Sequence, residues 1–420
     1  MRRILFASLV GTAVEFYDFY IYATAAALVF GPLFFPAASP SVQLLAAYGS
    51  FAVAFVARPL GGLAFGHFGD RLGRKSTLVA SLLTMGVSTV AIGLLPGWDR
   101  LGWMAPVLLC ALRFGQGFGL GGEWGGAALL AVENARPGWR ARFGMVPQLG
   151  APVGFIAANG LFLVLGLALS PEQFVAWGWR LPFLVSIVLV ALGLWARLTL
   201  AETPEFAASL RAGPPPSVPV GEVLRHHLGA TITGIFTVVV CFAVFYLATA
   251  FALGYGTVTL GYDRGVFLGV ELASILCLAV SILVAGWWAD RSSPRLVLTA
   301  GAALTIGGGL LLAPMLGSGS LLSIGLYLSL AQLLMGLVYG PLGAFLPGLF
   351  PPRVRYTGTS LAFNLGGILG GGLAPFAAQS LAESGGLWLV GAYFAGAGAI
   401  SLTTLIISGG GHREPVPATP

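Results

Sequence analysis

Apolar residues run along this chain in twelve long stretches separated by short polar breaks. Each stretch is near or above the ~20 residues that a helix needs to cross a bilayer. Six precede a polar central segment, at 4–30, 44–66, 77–95, 103–131, 143–167 and 180–200. Six follow it, at 228–253, 265–288, 296–316, 321–346, 357–379 and 386–408. The central segment opens with Glu202-Thr203-Pro204-Glu205, a helix stop, and contains Pro214-Pro215-Pro216. The pattern predicts an all-α integral membrane protein of 12 transmembrane helices in two six-helix bundles. The expected divisions are a first bundle at 1–201, a central loop at 202–227, a second bundle at 228–408 and a short tail at 409–420. The N-terminus imitates a secretory signal, with Arg2-Arg3, an apolar run and Ala23-Thr24-Ala25. That run contains Glu15 and Asp18, so it is expected to remain as the first span.

Composition narrows the class further. Hydrophobic residues make up 57% of the 420 positions and charged residues 9%, against about 25% in soluble domains. A soluble enzyme, a disordered chain and a nucleic-acid binder are thereby excluded. Lysine and arginine outnumber aspartate and glutamate by 21 to 15. Of those 21 bases, 16 fall on one side of the proposed membrane, with Arg100, Arg180 and Arg264 opposite and Arg58 and Arg113 within spans. Positive charge favours the cytoplasmic side, so both termini are expected there, in a multi-pass protein of the cell inner membrane. The basic balance is thus topological. Cys110, Cys241 and Cys277 lie inside apolar runs and suggest neither a disulfide frame nor a metal site. No catalytic triad is visible, so no enzymatic activity is expected.

The two halves echo each other. Gly66-His67-Phe68-Gly69-Asp70-Arg71-Leu72-Gly73-Arg74-Lys75 follows the second span, and Gly286-Trp287-Trp288-Ala289-Asp290-Arg291 follows the eighth. Arg140-Ala141-Arg142-Phe143-Gly144 and Arg353-Val354-Arg355-Tyr356-Thr357-Gly358 form a second echo. Duplicated six-span halves are a signature of two-bundle transporters. The 66–75 segment resembles the signature loop of the major facilitator superfamily. More narrowly, the chain resembles the metabolite:proton symporters, through Glu15-Phe16-Tyr17-Asp18-Phe19, Arg58-Pro59-Leu60-Gly61-Gly62, Arg113 with Gln116-Gly117, and Gly121-Gly122-Glu123-Trp124-Gly125-Gly126. Trp179-Arg180, Glu202-Thr203-Pro204-Glu205-Phe206 and Asn364 extend the match across the chain. The segments beginning at Tyr22 and Glu123 are most similar to the shikimate branch. The resemblance implies transport of shikimate or another organic acid, with alpha-ketoglutarate, citrate and the zwitterions proline and betaine as family alternatives.

Six charges lie within spans: Glu15, Asp18, Glu123, Glu271, Arg58 and Arg113. Each costs about 2.5–3.5 kcal/mol on insertion scales and needs a partner, water or a proton. Glu15 and Asp18, three residues apart, share a face of the first span. Arg113, Gln116 and Glu123 fall within an arc of about 80°. From the helical rise, Arg58 is expected to meet Glu15 or Glu123, while Asp18 and Arg113 face a central cavity. The first half holds three buried acids and two buried bases, leaving one carboxylate for a proton. Asp18, Glu15 and Glu123 are the candidate proton carriers. The histidines at 67, 226, 227 and 412 lie outside the spans, so a histidine relay is not expected.

A cavity guanidinium suits a carboxylate, which makes Arg113 the primary substrate-binding candidate. Arg58, Tyr20, Gln116, Gln148, Tyr246 and Asn364 are further binding candidates. Glu271, seven residues after Arg264, is expected to contact it on the outer side. Gly66, Asp70, Arg71, Arg74, Asp290 and Arg291 are the gating candidates. Asp70 is expected to accept from backbone N–H groups at a neighbouring helix start and to pair with an arginine. The second copy ends in Ser292-Ser293-Pro294, so its gate is expected to be weaker. These readings combine into proton-coupled symport of a small carboxylate-bearing metabolite by a monomer, through rocker-switch alternating access, with no cofactor but the proton. A proton-coupled antiporter or exporter of the same fold is the alternative.

Overall fold

The computed structural model describes residues 2–36, 39–72, 74–199, 219–351 and 354–409. Helix α1 (Arg2–Ala25) continues through a wide π-helical turn, Ala26–Phe30, into Gly31–Phe34. Then come α2 (Pro40–Leu72), α3 (Arg74–Leu94), α4 (Met104–Leu120 and Glu123–Glu133), α5 (Arg140–Gln148 and Gly150–Ala168) and α6 (Leu181–Thr199). In the second half, α7 (Leu228–Tyr246) runs on through π-turns at Leu247–Phe251 and Tyr255–Thr259. It is followed by α8 (Arg264–Arg291), α9 (Pro294–Leu316) and α10 (Leu321–Tyr339 and Leu342–Gly348). Finally come α11 (Arg355–Gly367, a π-turn at Ile368–Gly372, and Ala374–Gly385) and α12 (Leu387–Gly409). Among the described residues there is no strand. Eleven helices among these residues are long and apolar enough to cross a membrane, and α3 adds the shorter apolar stretch Val79–Leu94.

Several helices outrun their expected ends, the second to Leu72 without a π-turn and three others through one. The first reaches Phe34, the seventh Thr259 and the eleventh Gly385. All three carry π-turns. A wide turn lets the backbone pass Gly31, Gly256 and Gly370-Gly371-Gly372 without ending the helix. Other helices start where capping chemistry directs. Asp263, Ser293 and Ser320 accept at the N-termini of α8, α9 and α10, and Pro294 occupies the first turn of α9. Ser293 and Pro294, which replace the Gly-Arg-Lys of the first loop copy, are therefore a helix start.

Within the first bundle α1 packs on α4, α5 and α6; within the second, α7 packs on α10, α11 and α12. Burial ranks the helices. The most apolar window of α1 and that of α7 are each 89% buried, against 33% for α6 and 39% for α12. The two leading helices thus form the molecular centre, while α6 and α12 turn apolar side chains outward, as in Val188 and Ile407. The bundles meet through α5 with α8 and through α2 with α11.

Two glycine contacts show how closely the helices approach. A Cβ on Gly61 of α2 would lie 1.9 Å from the carbonyl oxygen of Phe118 in α4. Across the bundle boundary, a Cβ on Gly343 of α10 would lie 2.3 Å from the carbonyl oxygen of Gly144 in α5. In each case backbone rests on backbone, and only glycine permits it.

Candidate functional site

The buried charges gather around α1. Glu15 and Arg58, from α1 and α2, form an ion pair at 3.4 Å. The Arg58 guanidinium lies over Phe19 at 5.0 Å and Phe55 at 5.6 Å. Asp18, one turn further along α1, is fully buried and accepts from the Ser186 hydroxyl of α6 at 2.5 Å. Thr89 of α3 stands 3.5 Å from its other carboxylate oxygen. Asp18 forms no ion pair among the described residues. Glu123 opens the second segment of α4 and accepts from Ser81 at 3.1 Å.

Arg113 is also fully buried. Its guanidinium lies 4.0 Å from the ring centre of Tyr22, 4.3 Å from Phe19 and 4.9 Å from Phe51. This cage of π-faces stabilises the cation without a carboxylate. One guanidinium nitrogen, Nη1, donates to Gln116 Oε1. Gln116 Nε2 in turn donates to the Asp18 carbonyl at 3.0 Å and the Thr89 hydroxyl at 2.9 Å. Arg113 Nε and Nη2 have no hydrogen-bond partner. A buried guanidinium with two unpartnered nitrogens is a ready receptor for an anion.

Around this network the bundles share an aromatic layer. Tyr246 of α7 packs edge-on against Phe51 and Phe55 of α2, and Tyr20 of α1 stacks on Phe245 of α7. Two small spaces of about 10 Å³ each lie between the bundles. Tyr20 borders both, Tyr246 borders one, and Asp18 and Arg113 border neither. The expectation that Asp18 and Arg113 face a central cavity is corrected on this point. In this closed form their polar groups turn into the first bundle, towards Ser186 and Gln116.

Both ends of the interface are shut. At the end carrying Arg140, Arg291 and Arg355, the Asp290 carboxylate of α8 accepts from the N–H groups of Ala141 and Arg142 at 2.8 and 3.1 Å. It also pairs with Arg142 Nε at 3.0 Å. This is the arrangement expected for Asp70, here made by its repeat partner Asp290. Arg291 packs on Trp287 at 4.0 Å. Arg355 of α11 pairs with Glu133 of α4 at 3.7 Å. The backbone of Gly66, Asp70 and Arg71 belongs to α2, and Arg74 begins α3; the side chains of these gating candidates lie outside the described residues. At the opposite end, the Tyr48 hydroxyl of α2 donates to the Ala250 carbonyl of α7 at 2.5 Å.

Between these ends, α4 breaks at Gly121 and Gly122. Asn364 donates to the Gly121 carbonyl at 2.8 Å, and the Tyr356 hydroxyl donates to that of Gly122. Both donors come from α11. Asn364 is therefore committed to an inter-bundle contact in this form. Beside it, Trp124 and Phe363 stack face to face at 3.7 Å. Trp124 also donates to Gln148 Oε1 at 3.1 Å, leaving Gln148 Nε2 without a partner.

Glu271 departs from its expected place. Arg264 lies over the Phe174 ring at 3.6 Å, and among the described residues it forms no ion pair with Glu271. Glu271 instead borders a space between the bundles, is 1% exposed, and its Oε1 has no hydrogen-bond partner. Ser186 and Thr89 belong to the polar network around Asp18, while Asn159 accepts from Thr24. In sequence all three are small polar residues within apolar runs, with no signal to distinguish them from packing positions. Among the described residues no cluster of side chains suited to a metal is present.

Two helical bundles packed around buried charge are the architecture of a membrane transport protein. The chain belongs to the Major Facilitator Superfamily, whose family model matches residues 8–375. It is 48% identical over 412 residues to the inner membrane metabolite transport protein YhjE of Escherichia coli (strain K12), covering 97% of this chain and 94% of the relative. It is 39% identical over 388 residues to the shikimate transporter of the same organism, covering 90% and 87%. In fold it is similar to the xylose transporter XylE from E. coli in a partially occluded inward-open conformation. That likeness has a TM-score of 0.75 at 14% identity and covers 98% of this chain and 97% of the other.

Proposed function

We propose that the protein is a proton-coupled symporter that imports a small carboxylate-bearing metabolite across the inner membrane. Arg113 is the residue that receives the carboxylate, and Asp18 carries the proton. The observation that carries this reading is the chain Arg113–Gln116–Asp18, in which a buried cation and a buried acid share a bridge but form no ion pair. The likeness to a shikimate transporter supports a carboxylate as cargo.

The cycle follows from charge balance. With both ends shut, an ionised Asp18 and a cationic Arg113 compensate each other at a distance. A proton on Asp18 removes the negative charge, and the Arg113 cation then draws in a substrate carboxylate. The loaded site holds the same net charge as the empty one, so closure around it costs no additional buried charge. Residues 1–201 and 228–408 are the two rocking units, joined by 202–227. Asp290 and Arg355 hold them together at the arginine-rich end, which the positive-inside rule assigns, with both termini, to the cytoplasm, and Asn364 holds them further in.

Uptake into proteoliposomes under an imposed pH gradient tests the coupling. Asp18→Asn is expected to abolish accumulation while retaining exchange of internal for external substrate. Accumulation by Asp18→Asn at the wild-type level refutes the assignment.

A further inference from the structure

The carboxylate receptor accounts for one end of a substrate; the space beside Tyr20 has the chemistry for the other. It is bordered by Thr24 of α1 and by Thr249 and Glu271 of α7 and α8. The Thr24 hydroxyl donates to Asn159 Oδ1 at 2.5 Å. This orients the α5 amide and leaves Asn159 Nδ2 buried without an acceptor. Glu271 Oε1 is buried without a donor. Among the described residues no arginine pairs with Glu271: the nearest in sequence, Arg264, is spent on Phe174. Thr249 sits in the π-turn Leu247–Phe251, and its own proton goes to the Phe245 carbonyl, so its oxygen remains able to accept. Wide turns of this kind recur at functional sites.

The two orphaned atoms have opposite needs. A carboxylate oxygen only accepts from a partner, and an amide N–H only donates. An ammonium would answer Glu271 and leave Asn159 unmet. A hydroxyl answers both, because it donates and accepts. We infer that Glu271, Thr24, Thr249 and Asn159 form a hydroxyl-recognition subsite, and that the cargo is a hydroxylated carboxylic acid. The inference rests on the carboxylate reading of Arg113 and adds its specificity determinant. The subsite draws Thr24 and Asn159 from one bundle and Thr249 and Glu271 from the other. Substrate hydroxyls would therefore join the two halves, and their contacts would be complete only when the bundles close.

The purified full-length protein is titrated with shikimate, with its ring analogue lacking hydroxyls, cyclohex-1-ene-1-carboxylate, and with glycine betaine. Binding is read from the concentration dependence of the thermal shift. The wild type is expected to bind the hydroxylated acid at least about tenfold more tightly than the bare acid. Glu271→Ala is expected to shrink that ratio to within about twofold, with Asn159→Leu moving it in the same direction. Arg113→Ala is expected to weaken both acids while leaving their ratio intact. If Glu271→Ala fails to fold, Glu271→Gln and Thr249→Val supply the same ratio. An unchanged ratio in the Glu271 variant overturns the subsite. A wild-type preference for betaine that disappears in that variant also overturns it, and makes Glu271 a cation site. Failure of the wild type to bind either acid overturns the carboxylate reading and the subsite together.

Discussion

Arg113 reaches Asp18 only through Gln116. The guanidinium donates to the Gln116 carbonyl, and the Gln116 amide donates to the backbone of Asp18 and to Thr89, which stands beside its carboxylate. Every hydrogen-bonding atom of the Gln116 side chain is used. Gln116→Leu keeps the volume and removes the bridge. It is expected to lower pH-gradient-driven accumulation at least about tenfold, the loss of roughly 1.4 kcal/mol of coupling. Parallel measurements of accumulation and exchange in proteoliposomes check this, since exchange requires no coupling.

The unused Nε and Nη2 of Arg113 assign it a fork-shaped ligand. Lysine has a point charge and no fork. Arg113→Lys is accordingly expected to raise the half-saturating substrate concentration about tenfold or more while leaving membrane insertion intact. The concentration dependence of initial uptake rates measures the change.

Glu15 and Arg58 are a buried pair, and removing one member leaves the other uncompensated. Glu15→Ala is expected to destabilise the protein by about 3–5 kcal/mol. Replacing both, as Glu15→Gln with Arg58→Met, is expected to recover a large part of that loss. Thermal unfolding of the two variants in detergent decides the point: if the double variant is no more stable than the single one, the pair is not the cause.

Asp290 caps the start of α5 from the other bundle. Asp290→Ala removes three contacts at the arginine-rich end and is expected to open that end more often. Ser360 of α11 is buried at the boundary between the bundles, packed on Gly125 of α4. In a background with Cys110, Cys241 and Cys277 replaced, Ser360→Cys is expected to react with a water-soluble maleimide several-fold faster when Asp290 is alanine. Equal rates would remove Asp290 from the gate.

Much of this was legible in the chain. The spans are continuous apolar runs, and the repeat of Asp70 in Asp290 announces a contact that the structure shows at the second copy. Depth along the helices narrows the partner of Arg58 to Glu15 or Glu123, and the structure pairs it with Glu15. Other features have no sequence signal. Ser186 is one small hydroxyl in an apolar helix, and only tertiary packing brings it to Asp18. Glu271 and Arg264 share a helix face by spacing, but a long guanidinium side chain stacks on Phe174 instead. The ends of α1, α7 and α11 were hidden because π-turns make glycines read as stops.

The break in α4 has an evolutionary consequence. The acceptors that Asn364 and Tyr356 grip are the carbonyls of Gly121 and Gly122, and a carbonyl is present whatever residue occupies the position. A Cβ on Gly121 would fall 2.1 Å from the Arg58 carbonyl oxygen, so selection against larger residues there acts through packing with α2. The grip itself can be tuned or lost only from α11. A lineage adjusting how readily its carrier opens can therefore do so by drift at positions 356 and 364, leaving the charge network around α1 untouched.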